Sequence, residues 1–106
     1  MLEPYYNIHP GEMIKDEIDY RHLTQRELAQ ATGIPYSQLN ETLNGKRQLT
    51  TEMALLIGAV LGVDAEPLLM MQTKYNMLQA KRNPPFIERL SSLIQLPAVN
   101  RAAAVL

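Results

Sequence analysis

The stretch from Thr24 to Leu43 constrains this chain most, because it must hold two short helices with only a few residues between them. Thr24-Gln25-Arg26-Glu27 is a capping box. Its pattern lets the Thr24 hydroxyl accept from the Glu27 N–H while the Glu27 carboxylate reaches back to the Thr24 N–H, so a helix starts at Gln25. It runs through Leu28 and Ala29 to about Thr32, where Gly33 supplies the left-handed conformation that ends a helix without steric cost. Pro35, Tyr36 and Ser37 restart the chain. Leu39 and Leu43, four apart, give a second short helix closed by Asn44-Gly45. Ala29 stands where steeply crossing helices need a small residue, and Leu28, Ile34 and Leu39 stand where side chains must enter a shared core.

Two helices joined by a tight glycine turn make a helix-turn-helix. Upstream, Ile14 and Ile18 mark an amphipathic helix that has His9 as its boundary and Pro10 as its first helical residue, fading near Tyr20 to His22. Downstream, Thr50 or Thr51 with Glu52 opens a helix over Met53 to Leu61, apolar almost all round and therefore expected to be the central buried one. Gly62 and Val63 end it. Asp64 is an N-cap for a fifth helix with Pro67 in its first turn; Leu68, Met71, Tyr75 and Leu78 form one apolar stripe, and Leu69, Met70 and Met77 another. Asn83-Pro84-Pro85 breaks the chain before a short sixth helix at Phe86 to Ile94, which is followed by Pro97 and an Ala-rich tail. The expectation is an all-α fold of five to six helices: an N-terminal tail at 1–8, a helix-turn-helix domain at 9–82 and a C-terminal segment at 83–106.

A chain of 106 residues has room for one small core. Ten Lys+Arg against 11 Asp+Glu leave a net charge of −1, so no global positive field attracts nucleic acid and such a partner must be met by a local patch. The absence of cysteine excludes disulfides, thiolate metal sites and Cys nucleophiles, and makes a reducing compartment the expected one. The Met1 to Tyr6 start lacks a signal-peptide pattern, and the longest apolar stretch falls far short of the roughly 20 residues that span a bilayer, so a soluble cytoplasmic protein without membrane contact is expected. His9 and His22 have no partner at metal-ligand spacing, and Ser91-Ser92 has no base nearby in sequence; neither an enzyme nor a metal or cofactor site is expected.

Several segments together resemble one family. His9-Pro10-Gly11-Glu12, Leu23-Thr24-Gln25 through Leu28-Ala29, Gly33-Ile34-Pro35 and Leu39-Asn40-Glu41 leading to Asn44-Gly45-Lys46-Arg47 look like the HigA-type antitoxins of the Xre/Cro-like helix-turn-helix class, with its lambda-repressor-like fold. Met70 to Tyr75 is similar to the family's fifth helix, and the resemblance covers about residues 8 to 82. It implies a bacterial homodimeric autorepressor that binds a double-stranded DNA operator and silences a HigB-like mRNA-cleaving toxin. It also implies that Tyr36, Ser37, Gln38, Asn40 and Glu41 read bases in the major groove, where Asn and Gln can pair with adenine and Glu can accept from cytosine. Phosphate contacts then fall to Thr24, Gln25 and Arg26 at the start of one helix and to Asn44, Lys46 and Arg47 after the next.

Taken singly, Lys46-Arg47 reads more readily as a solvated loop, Asn44-Gly45 as a helix stop and Tyr36 as packing on its own turn; it is the surrounding helix-turn-helix that favours DNA. Residues 11 to 47 carry five Lys+Arg against six Asp+Glu, and Glu41 places a carboxylate on the presumed reading face. A repressor without a toxin, and a protein-interaction module that has lost DNA binding, therefore stand as alternatives.

Overall fold

A computed structural model describes residues 8–105, with side chains as far as Arg101. The tail features Pro4 and Tyr5-Tyr6 lie outside the described residues. Those described form seven α-helices: α1 Pro10–Tyr20, α2 Gln25–Thr32, α3 Tyr36–Leu43, α4 Thr51–Leu61, α5 Ala65–Lys81, α6 Pro84–Ile94 and α7 Pro97–Val105. The all-α expectation holds, and α7 extends it. The Ala-rich stretch expected as a tail is helical from Pro97, where proline suits a first helical position and alanine is the strongest helix former. None of these helices is long and apolar enough to cross a membrane.

The chain parts into two compact units, the first extending through Tyr75 and the second beginning at Asn76. In the first unit α3 packs on α1 and α2, and α2 packs on α4. Ile14, Leu28, Leu39, Leu43, Ala54 and Ile57 form the centre of its core. Of α4, expected to be buried throughout, only Met53, Ala54, Ile57, Gly58 and Leu61 are buried, while Leu55 remains 59% exposed and Leu56 and Val60 also face out. A helix in so small a bundle has neighbours on one side only. In α5 the buried residues besides Ala65 are Leu68 and, unexpectedly, the polar Gln72, whose Oε1 accepts from the Leu49 N–H at 2.7 Å and so satisfies a buried loop amide. In the second unit α6 and α7 pack together, and Phe86, Leu90, Leu93 and Ile94 are exposed along α6.

The first turn of α1 meets the end of α3 at backbone distance. A Cβ built on Gly11 would stand 2.5 Å from the Leu43 carbonyl oxygen and 2.7 Å from that of Thr42, so only glycine permits the approach. His9 caps the same helix: its Nδ1 accepts from the Gly11 N–H at 3.0 Å, and its ring is 7% exposed and meets Tyr75 edge-on at 5.1 Å. Burial pushes the His9 pKa below its ordinary 6.5, outweighing a hydrogen bond to the Arg47 backbone and the Glu12 carboxylate, both of which favour the charged ring.

Two outcomes follow for stability. Gly11→Ala forces backbone apart and costs about 1–3 kcal/mol, read as a lower urea midpoint at unchanged slope; an unshifted midpoint would show that the approach is not rigid. For His9, the unfolded chain binds the proton more tightly than the folded one, so its contribution is complete above about pH 6.5 and is lost as pH falls through the folded-state pKa. Between pH 8 and 5 the wild-type midpoint should fall further than that of His9→Asn, which has no ring to titrate; parallel curves would contradict this.

Candidate nucleic-acid interface

The capping box forms as the sequence dictates. The Glu27 N–H donates to Thr24 Oγ1 at 3.1 Å, and the Thr24 N–H donates to Glu27 Oε1 at 2.9 Å, starting α2 at Gln25. The Thr24 amide is thereby committed, and the open first-turn amides of α2 are those of Gln25 and Arg26. Gly33 ends the helix at φ 77°, a left-handed value at which a Cβ would be strained, and Thr32 Oγ1 donates back to the Leu28 carbonyl at 2.8 Å. The turn aims α3 so that Leu39, Thr42 and Leu43 are buried while Tyr36 and Ser37 are exposed and Asn40 and Glu41 half-buried. Thr42 sits in the core without an orphaned hydroxyl because its Oγ1 donates to the Gln38 carbonyl at 2.9 Å.

Gln38 is the member of the expected reading set that turns inward: its Nε2 donates to the Met53 Sδ at 3.7 Å. Of the others, Asn40 lies in a polar chain that crosses three helices. Asn40 Nδ2 donates to Gln25 Oε1 at 2.8 Å, Asn44 Nδ2 donates to Asn40 Oδ1 at 3.3 Å, and Lys15 Nζ donates to Asn44 Oδ1 at 3.4 Å while pairing with Glu12 at 3.1 Å. A residue expected on phosphate, Gln25, is thus locked to one expected on a base, Asn40, which fixes both side chains before any partner arrives. Lys15 was not singled out from the sequence, and no local signal could have shown it, since its contact to Asn44 spans 29 residues.

Charges around α3 are pre-paired. The Arg47 Nε lies 2.7 Å from Glu41 Oε1, so the carboxylate that looked repulsive on this face is neutralised from its own C-terminal side. The Arg26 guanidinium stacks 4.4 Å from the centre of the Tyr36 ring, which joins the start of α2 to the start of α3 and defines the packing that Tyr36 makes. Lys46 is exposed and has no carboxylate at ion-pair distance among the described residues. Exposed pairs such as Arg47–Glu41 contribute only about 0–1 kcal/mol, so either cation can turn to a stronger anion at small cost. Among the described residues no group of three or more His, Asp or Glu is placed to hold a metal ion.

The helix-turn-helix family profile matches residues 14–68, which spans α1 to the start of α5. A transcriptional regulator of Escherichia coli K12, YddM, is 31% identical over 85 residues, 80% of this chain and 89% of that one. An addiction-module antidote protein of the HigA family from Coxiella burnetii superposes with a TM-score of 0.69 at 30% identity, covering 78% of this chain and 92% of its own. The antitoxin HigA of Pseudomonas aeruginosa, solved with the higBA promoter, superposes with a TM-score of 0.70 at 26% identity, over 78% and 92% of the two chains. The chain belongs to the Xre-like helix-turn-helix family, and over 78% of its length it shares the fold of HigA antitoxins.

Proposed function

We propose that this protein is a dimeric, sequence-specific DNA-binding repressor that acts on its own operator and is the antitoxin of a HigB-like mRNA-cleaving toxin in the bacterial cytoplasm. The observation that carries the DNA reading is the exposed edge of α3. Asn40 is held there in a bonded pair with Gln25, with Tyr36 and Ser37 beside it, the open amides of α2 on one flank and Lys46 and Arg47 on the other. That order of groups is what a major groove demands: a short polar helix between two phosphate-binding rims. Asn40 pairs with adenine through its amide once it exchanges Gln25 for the base, and Glu41 accepts from cytosine N4 when Arg47 swings to a phosphate. Gln38 reads a base only after leaving the Met53 sulfur, so it contributes least of the five. Gln25, Arg26, Thr24 and Asn44 position the backbone.

The similarity to a HigA solved with its promoter supports the operator, and the similarity to HigA antidotes supports the toxin. Dimerisation draws on the second apolar face of α5, where Met70 and Met77 are 52% and 54% exposed, and on the α6 stripe of Phe86, Leu90, Leu93 and Ile94. A two-fold dimer would place two copies of α3 about 34 Å apart on a palindrome.

The DNA reading is tested by selecting duplexes from a random pool and measuring affinity against salt. Asn40→Ala should cost about 1–3 kcal/mol and relax preference at one base pair of each half-site, whereas Lys46→Ala should weaken all sequences alike and lower the salt slope by about 1. Equal loss for both variants on every sequence would remove base reading by α3. The toxin reading is tested by isolating the tagged protein from its host at native expression and weighing what accompanies it. A stoichiometric small companion is expected; DNA retained without one would leave a repressor, and a companion without DNA would leave an interaction module.

A further inference from the structure

Lys46 and Arg47 meet phosphate only if the loop after α3 is held in place. Its first half hangs from the helix, with the Gly45 N–H donating to the Thr42 carbonyl at 3.1 Å and the Lys46 N–H to the Glu41 carbonyl at 2.9 Å. The second half leaves α3 behind, and there the neighbour is His9, some 36 residues earlier in the chain. Every part of the His9 ring is engaged. Nδ1 accepts from the Gly11 N–H, the Arg47 backbone stands close enough to the ring to favour its charged form, and the edge-on partner is Tyr75 of α5. Gly45 lies beside the imidazole, where an added Cβ would be in ordinary contact with the ring at 3.7 Å from His9 Cγ. A cap for α1 needs only one acceptor atom, which Asn or Ser supplies at least as well as His. The rest of the ring has a different task.

We propose that His9 is a positioning residue for the Gly45–Arg47 loop: its imidazole, wedged between the first turn of α1, Tyr75 and the Arg47 backbone, sets where Lys46 and Arg47 stand relative to the reading helix. This rests on the DNA reading above. In the neutral ring a bare Nδ1 leaves Nε2 protonated, so the group that accepts from the Gly11 amide turns a donor towards the Arg47 backbone and a flat face towards Gly45. Arg47 then has two neighbours, His9 beside its main chain and Glu41 paired with its side chain.

The test uses the full chain with His9→Asn, which keeps an acceptor for the Gly11 amide and removes the contacts to Arg47, Gly45 and Tyr75, and with Tyr75→Leu, which leaves the cap and the Arg47 bond intact. Amide exchange in the free protein comes first. In His9→Asn the amides of residues 45 to 47 should exchange about tenfold faster while those of α2 and α4 keep their rates, and Tyr75→Leu should show a smaller change at the same amides. Binding to a duplex selected from the random pool comes second. Lys46→Ala, several-fold weaker than wild type, should cost less than about twofold in the His9→Asn background, because the loop no longer delivers the lysine. Unchanged loop exchange, or a uniform rise over the whole domain, overturns the proposal, as does a Lys46 effect that is the same in both backgrounds. If the wild type retains no duplex from the pool, it is the DNA reading that fails, and the exchange rates alone decide whether His9 holds the loop.

Discussion

The contact between the first turn of α1 and the last turn of α3 is the constraint on which the rest of the domain depends. A helix approaches carbonyl oxygens this closely only where a residue has no side chain, and Gly11 is that residue. Once α1 is seated there, Ile14 and Ile18 fall on the core, and Lys15 reaches Asn44. His9 arrives beside Gly45 and Arg47. The His9-Pro10-Gly11-Glu12 and Asn44-Gly45-Lys46-Arg47 segments, far apart in sequence, are thus two sides of one joint.

On the DNA reading proposed above, the cations near α3 count by place and not by number in a chain of net charge −1. They are held at chosen places: Arg47 against Glu41, Arg26 over Tyr36, Lys15 against Glu12 and Asn44. Each of these partnerships is exposed or half-exposed and therefore weak, so it keeps a side chain oriented without competing seriously with phosphate. The acidic balance of residues 11 to 47, which from sequence argued against DNA, is a count of charges whose partners were not yet visible. The arrangement favours a binder whose affinity comes from geometry more than from bulk attraction.

The second unit follows a different logic. Four Lys and Arg from Lys81 onward stand against Glu88 alone, and the apolar residues of α6 line up along one side of an amphipathic helix while none is buried. On the outer face of α4, Leu55, Leu56 and Val60 are exposed as well.

What the sequence determined by itself was everything encoded within about one helical turn. The capping box at Thr24, the end of α2 at Gly33, the start of α1 at Pro10 and the burial of Leu28, Ile34, Leu39 and Leu43 are set by residues three or four apart, and those spacings are legible without neighbours. Tertiary structure decided what depends on elements meeting. The Gln25–Asn40 bond joins two helices across the turn, and Gln38 faces inward because Met53 of α4 lies beneath it. Gln72 is buried because the Leu49 amide needs an acceptor, and Arg47 is paired because the loop folds back on Glu41. Periodicity cannot distinguish a polar residue facing water from one facing an unpaired amide; the two look identical until a second element is packed against them.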